Sequence, residues 1–355
     1  MKKISINTKE SYDVLIGNNI LGELGVYTLE IFAPCKLCII TDDTVDLLYG
    51  DTVFDILSNA GFDVVKFSFP PGEGSKSLIT YGKCLEFLAE KKFSRTDGVI
   101  SLGGGVTGDL AGFIASTYLR GIKFIQVPTT LLAAVDSSVG GKTGINLSQG
   151  KNLAGTFWQP SFVLCDTATF KTLSHDIFLD GVAEAIKYGI ILNKNLFEKI
   201  YTDAPITASY DKLEDIIYSC IKLKATLVME DERDTGVRQL LNLGHTIGHA
   251  IEKCSDYTIS HGHAVATGIA LITKASHNFG YTDLQSMSLI IDILGKNGFR
   301  TETSFTSEEL LPVILSDKKR GGSNINLILP TKIGLSEIRE FPVNSLDGFL
   351  RAGLK

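Results

Sequence analysis

Apolar residues in the first half of the chain fall in short runs separated by amphipathic stretches. Ile4 and Ile6 alternate with polar neighbours, which is the signature of a half-buried first strand. Leu37–Thr41 reads as a strand, and Val45–Ala60 follows with Val45, Leu48, Val53, Ile56 and Leu57 at helical spacing. The alternation continues with a strand at Phe62–Phe69, a helix at Leu78–Lys92, a strand at Gly98–Leu102 and a helix at Leu110–Tyr118. Ile122–Val127 and Ser161–Cys165 are two further strands. Strands spaced by helices require crossover connections, so this half predicts a mostly parallel sheet. The pattern changes near Ser174: Ile177, Val182, Ile186 and Ile190 begin a long helix there. Lys212–Glu232, Leu240–Lys253, Ala264–Phe279 and Leu284–Asn297 continue as helices, and Asn324–Leu329 is the one late strand. The expected fold is therefore α/β: an N-terminal Rossmann-like domain of the nucleotide-binding kind over 1–173, then a mainly α-helical domain over 174–355.

Composition narrows the partners. With 44% hydrophobic and 21% charged residues, the chain predicts a packed globular core. No apolar run is long enough to span a bilayer, and MKKISINTKE has no apolar stretch that would make it a secretory signal. A net charge of -6 argues against wholesale nucleic-acid binding while leaving room for a small anionic substrate. Six scattered cysteines, with one lone pair at Cys35 and Cys38, lack the second pair that a structural zinc site needs. They read as reduced thiols, and the expected location is cytoplasmic.

Candidate chemistry in the first half centres on Gly103-Gly-Gly-Val-Thr-Gly-Asp109, between the strand at Gly98 and a helix. Glycines let the backbone approach phosphate oxygens, and a helix N-terminus supplies free N–H groups and partial positive charge. The spacing is not GxGxxG, so the regular dinucleotide fingerprint is absent. Asp42 closes a strand where an acidic side chain suits a ribose hydroxyl pair. Glu73 and Lys76 end a turn after another strand, and Pro128-Thr-Thr130 ends a third. All four pieces lie at carboxyl ends of strands, where open α/β sheets bind ligands.

In the second half, four of the six histidines fall within nineteen residues. His245 and His249 are four apart and share a helix face, but Thr-Ile-Gly between them lacks the glutamate of a zinc protease. His261-Gly-His263 opens another helix. Glu184 lies in the apolar stretch Gly181–Gly189, three residues before Lys187. A charge there must be paired or ligating, and a helix-surface ion pair between Glu184 and Lys187 is the alternative. Two histidines plus one carboxylate with an open position suit catalytic zinc, and spacing allows more than one choice of histidines. Between the halves, Asp136-Ser-Ser-Val-Gly-Gly-Lys142 and Gly150-Lys-Asn152 are lysine-bearing glycine loops. The first glycine of a P-loop is missing, so they better suit a phosphorylated or carboxylated substrate, with Arg120, Lys187, Lys224 and Arg238 as further cations.

Taken together, the chain resembles the 3-dehydroquinate synthase family of sugar-phosphate cyclases over nearly its whole length. The motifs are GGGVTGDLAGF, RGIKFIQVPTTLLAAVDSSVGGKTGIN, GKNLAGTFWQP, GVAEAIKYGIILN, LNLGHTIGHAIE, HGHAVATGIA and DKKRGG. The resemblance implies NAD held by Asp42, Glu73, Lys76, Gly104, Gly105, Val106, Thr107, Gly108, Asp109, Thr129, Thr130, Lys142, Lys151, Thr169, Phe170, Lys171 and Thr172. It implies zinc or cobalt on Glu184, His245 and His261. It assigns catalytic positions to His249, Lys142, Asp136, Lys187 and Asn152, and substrate contacts to Arg120, Lys142, Asn152, Lys187, Lys224, Arg238, Asn242 and Lys319.

The implied reaction converts 3-deoxy-D-arabino-heptulosonate 7-phosphate to 3-dehydroquinate and phosphate, a step of the shikimate pathway towards aromatic amino acids. Its course is transient oxidation by NAD, phosphate elimination, reduction and intramolecular aldol closure. That makes the implied enzyme a phosphate-eliminating carbon–oxygen lyase, working as a homodimer without nucleic-acid or membrane partners. The family usually has HGE at the third ligand, whereas this chain has His261-Gly-His263, making His263 a rival ligand or a group beside the ligands. Another sugar-phosphate cyclase and a metal-dependent polyol dehydrogenase are the competing readings.

Overall fold

The computed structural model describes residues 1–318 and 323–354, so Lys319 lies outside the described residues. The chain divides into two compact units, Met1–Leu173 with Asp211–Met229, and Ser174–Tyr210 with Glu230–Lys355. No helix among the described residues is long and apolar enough to cross a membrane.

The first unit is built on β1 (Lys2–Ile6), β2 (Tyr12–Gly17), β3 (Lys36–Asp42), β4 (Asp63–Phe69), β5 (Gly98–Gly103), β6 (Lys123–Pro128), β7 (Lys142–Leu147), β8 (Gly150–Phe157) and β9 (Phe162–Asp166). Seven of these form one sheet in the order β1-β2-β9-β6-β5-β3-β4. β1 runs antiparallel to β2, and every other neighbouring pair is parallel. Side chains alternate across the strands and feed two apolar layers. Leu37 and Ile39 of β3 pack with Val53, Leu57, Ile100 and Leu102. Cys38 and Ile40 pack on the other face with Cys84, Leu88, Leu110 and Ile114. The cysteines Cys38, Cys84, Cys165 and Cys220 are buried and unbridged, filling space as small apolar groups.

Several elements differ from the hydrophobic pattern. The helix expected from Leu110 begins at Gly105, because its first turn is glycine-rich and shows no apolar period. The helix expected at Val45–Ala60 is broken into Asp43–Val45, a widened turn at Asp46–Gly50, and Asp51–Asn59. β2 and the antiparallel hairpin β7–β8 were not signalled, the hairpin because its strands are rich in glycine and polar residues. The helix Leu213–Glu230 falls mostly in the first unit, although it follows two helices of the second.

The second unit is mainly helical, with helices at His175–Leu192, Lys194–Asp203, His245–Cys254, His261–Asn278, Leu284–Lys296, Ser307–Lys318 and Leu346–Leu354. A hairpin of β10 (Asn324–Lys332) and β11 (Leu335–Pro342) completes it. One late strand was expected; β11 escaped notice because Glu337, Arg339 and Glu340 make it half polar. The helix expected from Leu240 starts only at His245. Gly244 there takes the left-handed φ of 79°, and the preceding turn, Val237–Asn242, is tighter than an α-helix.

Gly244 and Gly268 let the helices at His245 and His261 touch backbone to backbone. A side chain at Gly268 would come within 2.2 Å of the Gly244 carbonyl oxygen and 2.9 Å of the Gly248 nitrogen. Backbone atoms cannot rotate away, so the cost is overpacking. Gly268→Ala should destabilise the protein by about 3 kcal/mol. A urea titration that moves the midpoint by less than a third of that amount would mean the two helices can separate at little cost.

Candidate functional site

Three helices of the second unit bring the acidic and histidine side chains together. Glu184 lies midway along His175–Leu192, His245 and His249 lie on His245–Cys254, and His261 is the first residue of His261–Asn278. A side chain at Gly262 would meet the Asp180 Cα at 2.2 Å, so this helix start rests directly on the helix of Glu184. Ser260 Oγ donates to Asp180 Oδ1 at 2.6 Å, and the His263 N–H donates to the same oxygen at 3.2 Å. These contacts fix His261 beside Glu184.

Glu184 Oε1 lies 3.6 Å from His245 Nε2 and 3.6 Å from His261 Nε2. Its Oε2 pairs with Lys187 Nζ, and both side chains are 1% exposed. The Glu184–Lys187 pair therefore exists, but inside the protein rather than on a helix surface. Lys187 also lies over the ring of Tyr188. His245 Nδ1 sits 3.1 Å from the Leu243 carbonyl oxygen. A carbonyl can only accept, so Nδ1 carries the hydrogen and Nε2 keeps its lone pair. Burial first, then Lys187 and the imidazoles of His261 and His249, push the His245 pKa well below the ordinary histidine value. The ring is neutral, and its lone pair faces a carboxylate oxygen.

His261 stands between two carboxylates: its Nδ1 is 3.4 Å from Glu252 Oε2 and its Nε2 is 3.6 Å from Glu184 Oε1. Glu184 Oε1, His245 Nε2 and His261 Nε2 thus lie close enough to one another to share one cation. Two imidazoles and one carboxylate are a donor set for a zinc-like divalent ion, so the residues present fit a metal.

His249 is exposed, with its ring centroid 5.4 Å from that of His245 and 5.8 Å from that of His261. One atom each of His249, Glu252 and His261 lies within 4.8 Å of the others. His263 belongs to neither ligand-distance group among the described residues. Its ring stands edge-on to Phe299 at 5.4 Å, and its Nε2 is buried without a hydrogen bond. Arg238 is 1% exposed and donates from Nη1 to the Glu232 carbonyl at 2.8 Å. Asn242 ends the same turn, half-buried.

In the first unit, the parallel strands put every intervening loop of one kind on one edge of the sheet. Asp42 ends β3, Glu73 and Lys76 follow β4, Gly104 to Asp109 follow β5, Thr129 and Thr130 follow β6, and Thr169 to Thr172 follow β9. The chain leaves β3 towards β4 and returns on the other side for β5, so a topological switch point lies between β3 and β5. Nucleotides bind at such crevices, and here Asp42 and the glycine loop flank it. Asp42 Oδ1 accepts from the N–H groups of Thr44 and Val45, both at 3.0 Å, so one carboxylate oxygen caps a helix. The hydroxyls of Thr107, Thr129, Ser137 and Ser138 are buried without partners. The Thr129 N–H donates to the Gly103 carbonyl at 3.0 Å, and a side chain at Gly105 would lie 3.1 Å from Ser137 Oγ. Donors left over around a glycine loop and a helix N-terminus fit a pyrophosphate. Ser137 and Ser138 were not singled out by sequence, since hydroxyls in a glycine-rich run carry no period.

A polar network ties the hairpin to this edge. Lys76 Nζ donates to Asp109 Oδ2 and to Asn152 Oδ1, each at 2.5 Å. Asn146 Nδ2 donates to Glu73 Oε1 at 2.7 Å, and the Asn152 N–H donates to Asn146 Oδ1 at 2.9 Å. Burial pushes the Asp109 carboxyl up, while Lys76 beside it pulls back. Lys142 opens β7 and Lys151 lies in β8 with Asn152. Lys224 Nζ donates to the Asp136 carbonyl at 2.7 Å and pairs with its carboxylate. Tyr49 Oη donates to the Thr169 carbonyl at 3.1 Å and bonds the Thr172 hydroxyl at 2.8 Å; Phe170 is buried and Lys171 exposed. Arg120 stands apart. It follows the C-terminal end of helix Gly105–Thr117 and precedes β6, at the opposite edge of the sheet.

Comparison of the sequence with known proteins identifies a family. Models described as the N-terminal and C-terminal parts of 3-dehydroquinate synthase match residues 66–180 and 181–320. The 3-dehydroquinate synthase of Streptococcus suis is 42% identical over 353 residues, covering 98% of this chain and 99% of the relative. That of Enterococcus faecalis is 43% identical over 342 residues, 96% of each chain. A crystal structure of 2-deoxy-scyllo-inosose synthase with carbaglucose-6-phosphate, NAD+ and Co2+ superimposes with a TM-score of 0.91 at 26% identity, covering 99% of this chain and 100% of its own.

The Lys76–Asp109 pair lends itself to a measurement. Lys76 is 4% exposed, so Lys76→Met would leave the Asp109 charge without its cation and should cost about 3 kcal/mol. Asp109→Asn in the same chain should restore much of that loss. Additive losses in the double variant, by denaturant titration, would show that the two charges are not coupled.

Proposed function

The chain belongs to the 3-dehydroquinate synthase family, and from that membership we propose that it converts 3-deoxy-D-arabino-heptulosonate 7-phosphate to 3-dehydroquinate and phosphate. The reading makes it a phosphate-eliminating lyase that depends on NAD and a divalent metal, zinc or cobalt. The observation that carries the metal half is the convergence of Glu184 Oε1, His245 Nε2 and His261 Nε2. The nucleotide half is supported by the glycine loop and its unpartnered hydroxyls. A homodimer, a cytoplasmic location and independence of nucleic acid and membranes belong to the same proposal.

When bound, NAD accepts and returns a hydride while the metal polarises a substrate hydroxyl as a Lewis acid. The chain's own residues do the rest. Glu184, His245 and His261 hold the metal, and Lys187 offsets the buried Glu184 charge. Asp42, Gly104 to Asp109, Thr129, Thr130 and Thr169 to Thr172 hold the nucleotide along the sheet edge. The charges of Lys142, Lys151, Lys224, Arg238 and Lys319, with the amides of Asn152 and Asn242, orient phosphate and carboxylate groups. His249, exposed beside the ligand histidines, is suited to carry protons. Asp136 holds the ammonium of Lys224 in place. Arg120 sits at the sheet edge opposite the other first-unit residues.

A direct test is phosphate release from the heptulosonate phosphate, with and without NAD and chelator. Release that needs NAD, is lost with chelator and accumulates no NADH is expected; steady NADH formation would instead indicate a dehydrogenase. Glucose 6-phosphate as the alternative substrate separates this reading from that of an aminocyclitol-forming cyclase. Glu184→Ala should lose bound metal and at least a hundredfold in kcat together. Full metal occupancy in that variant, by elemental analysis, would take Glu184 out of the ligand set.

A further inference from the structure

One buried carboxylate near the histidines has no part in the mechanism above. Glu252 is 3% exposed and lies on helix His245–Cys254, three residues after His249 and seven after His245. That spacing puts all three on one helix face. A carboxylate so far from water must be matched by hydrogen-bond donors or a cation. Its Oε2 is 3.4 Å from His261 Nδ1, across the gap between two helices. The His249 ring is within 4.8 Å of the same pair.

We propose that Glu252 is a positioning residue for the metal ligand His261. The inference rests on the reading of Glu184, His245 and His261 as the metal set. An ionised carboxylate accepts and cannot donate, so a hydrogen bond with Glu252 places the His261 hydrogen on Nδ1. Nε2, the atom 3.6 Å from Glu184 Oε1, is then the nitrogen left to ligate. The same bond fixes the ring plane and makes Nε2 a stronger donor, as a carboxylate behind a ligating histidine does. His245 reaches the same tautomer through the Leu243 carbonyl, a weaker, neutral partner. The two imidazoles are thus prepared by different means, one by backbone and one by Glu252. His261 needs the stronger tether, because it opens its helix and its side chain is 32% exposed, against 14% for His245.

Glu252→Gln preserves size while removing the charge. Zinc affinity of the metal-free chain, by chelator competition, should fall ten- to a hundredfold. Cobalt-loaded protein should show an altered visible absorption spectrum. In the metal-free chain, nitrogen NMR of His261 should show the hydrogen on Nδ1 in the parent and a mixture of tautomers in Glu252→Gln. Glu252→Asp, which keeps the charge on a shorter arm, should recover part of the affinity. Unchanged zinc affinity and tautomer in Glu252→Gln would overturn the proposal. So would a second bound zinc in the parent that disappears in the variant, because Glu252 would then be a ligand itself. A parent chain that binds no zinc, or binds it unaffected by Glu184→Ala, would instead refute the ligand set on which the proposal stands.

Discussion

The second unit is organised around a carboxylate that has almost no contact with water. Glu184 is 1% exposed, and a bare charge in that position would cost several kcal/mol. Lys187, one turn along the same helix, answers one oxygen, while the other faces two imidazole nitrogens. The backbone makes this possible. Gly262 seats the His261 helix on Asp180, and Gly268 seats it on Gly244, so one helix touches both of its partners without side chains between them. Three helices can then deliver one side chain each to a single point. A divalent ion placed there would be shared by all three.

The first unit solves a different electrostatic problem with backbone rather than charge. Its parallel strands align five loops on one edge, and the change of direction between β3 and β5 opens a crevice there. Unpartnered hydroxyls collect around the glycine loop, where leaving them buried costs about 1–3 kcal/mol each. The charged residues nearby are mostly paired: Lys76 with Asp109, Lys224 with Asp136. Those pairs brace the loops, and the dipolar groups remain available for an anion.

The architecture was legible where the hydrophobic period was strong. β3 to β6 and β9 lie within one or two residues of the expected runs, as do the helices at His175, Leu213 and Leu284. It was illegible where glycine or charge masked the period, at β7–β8, at β11 and in the first turn after Gly104. The return of Asp211–Met229 to the first unit left no mark on the pattern, because a helix buries the same kind of face whichever unit receives it. The glycine loop, the histidine spacing and Glu184 were readable as local chemistry. Which histidines face Glu184 was not, since that depends on helix crossings set by Gly244, Gly262 and Gly268. Glu252 was in plain view at three residues from His249, yet its partner His261 lies on another helix.

The departure at His263 shows how helix geometry constrains the site. A histidine two residues after His261 invites the thought that it, too, could face Glu184. In an α-helix, successive residues turn by about 100°, so positions two apart point to nearly opposite sides. With His261 aimed at Glu184, His263 is turned away, and its ring meets Phe299. For His263 to reach Glu184 the helix would have to rotate, and Gly262 between them is pressed against Asp180 while Gly268 is pressed against Gly244. Rotation would drive side chains into both contacts. The glycines that bring His261 to the site are therefore also what keeps His263 out of it.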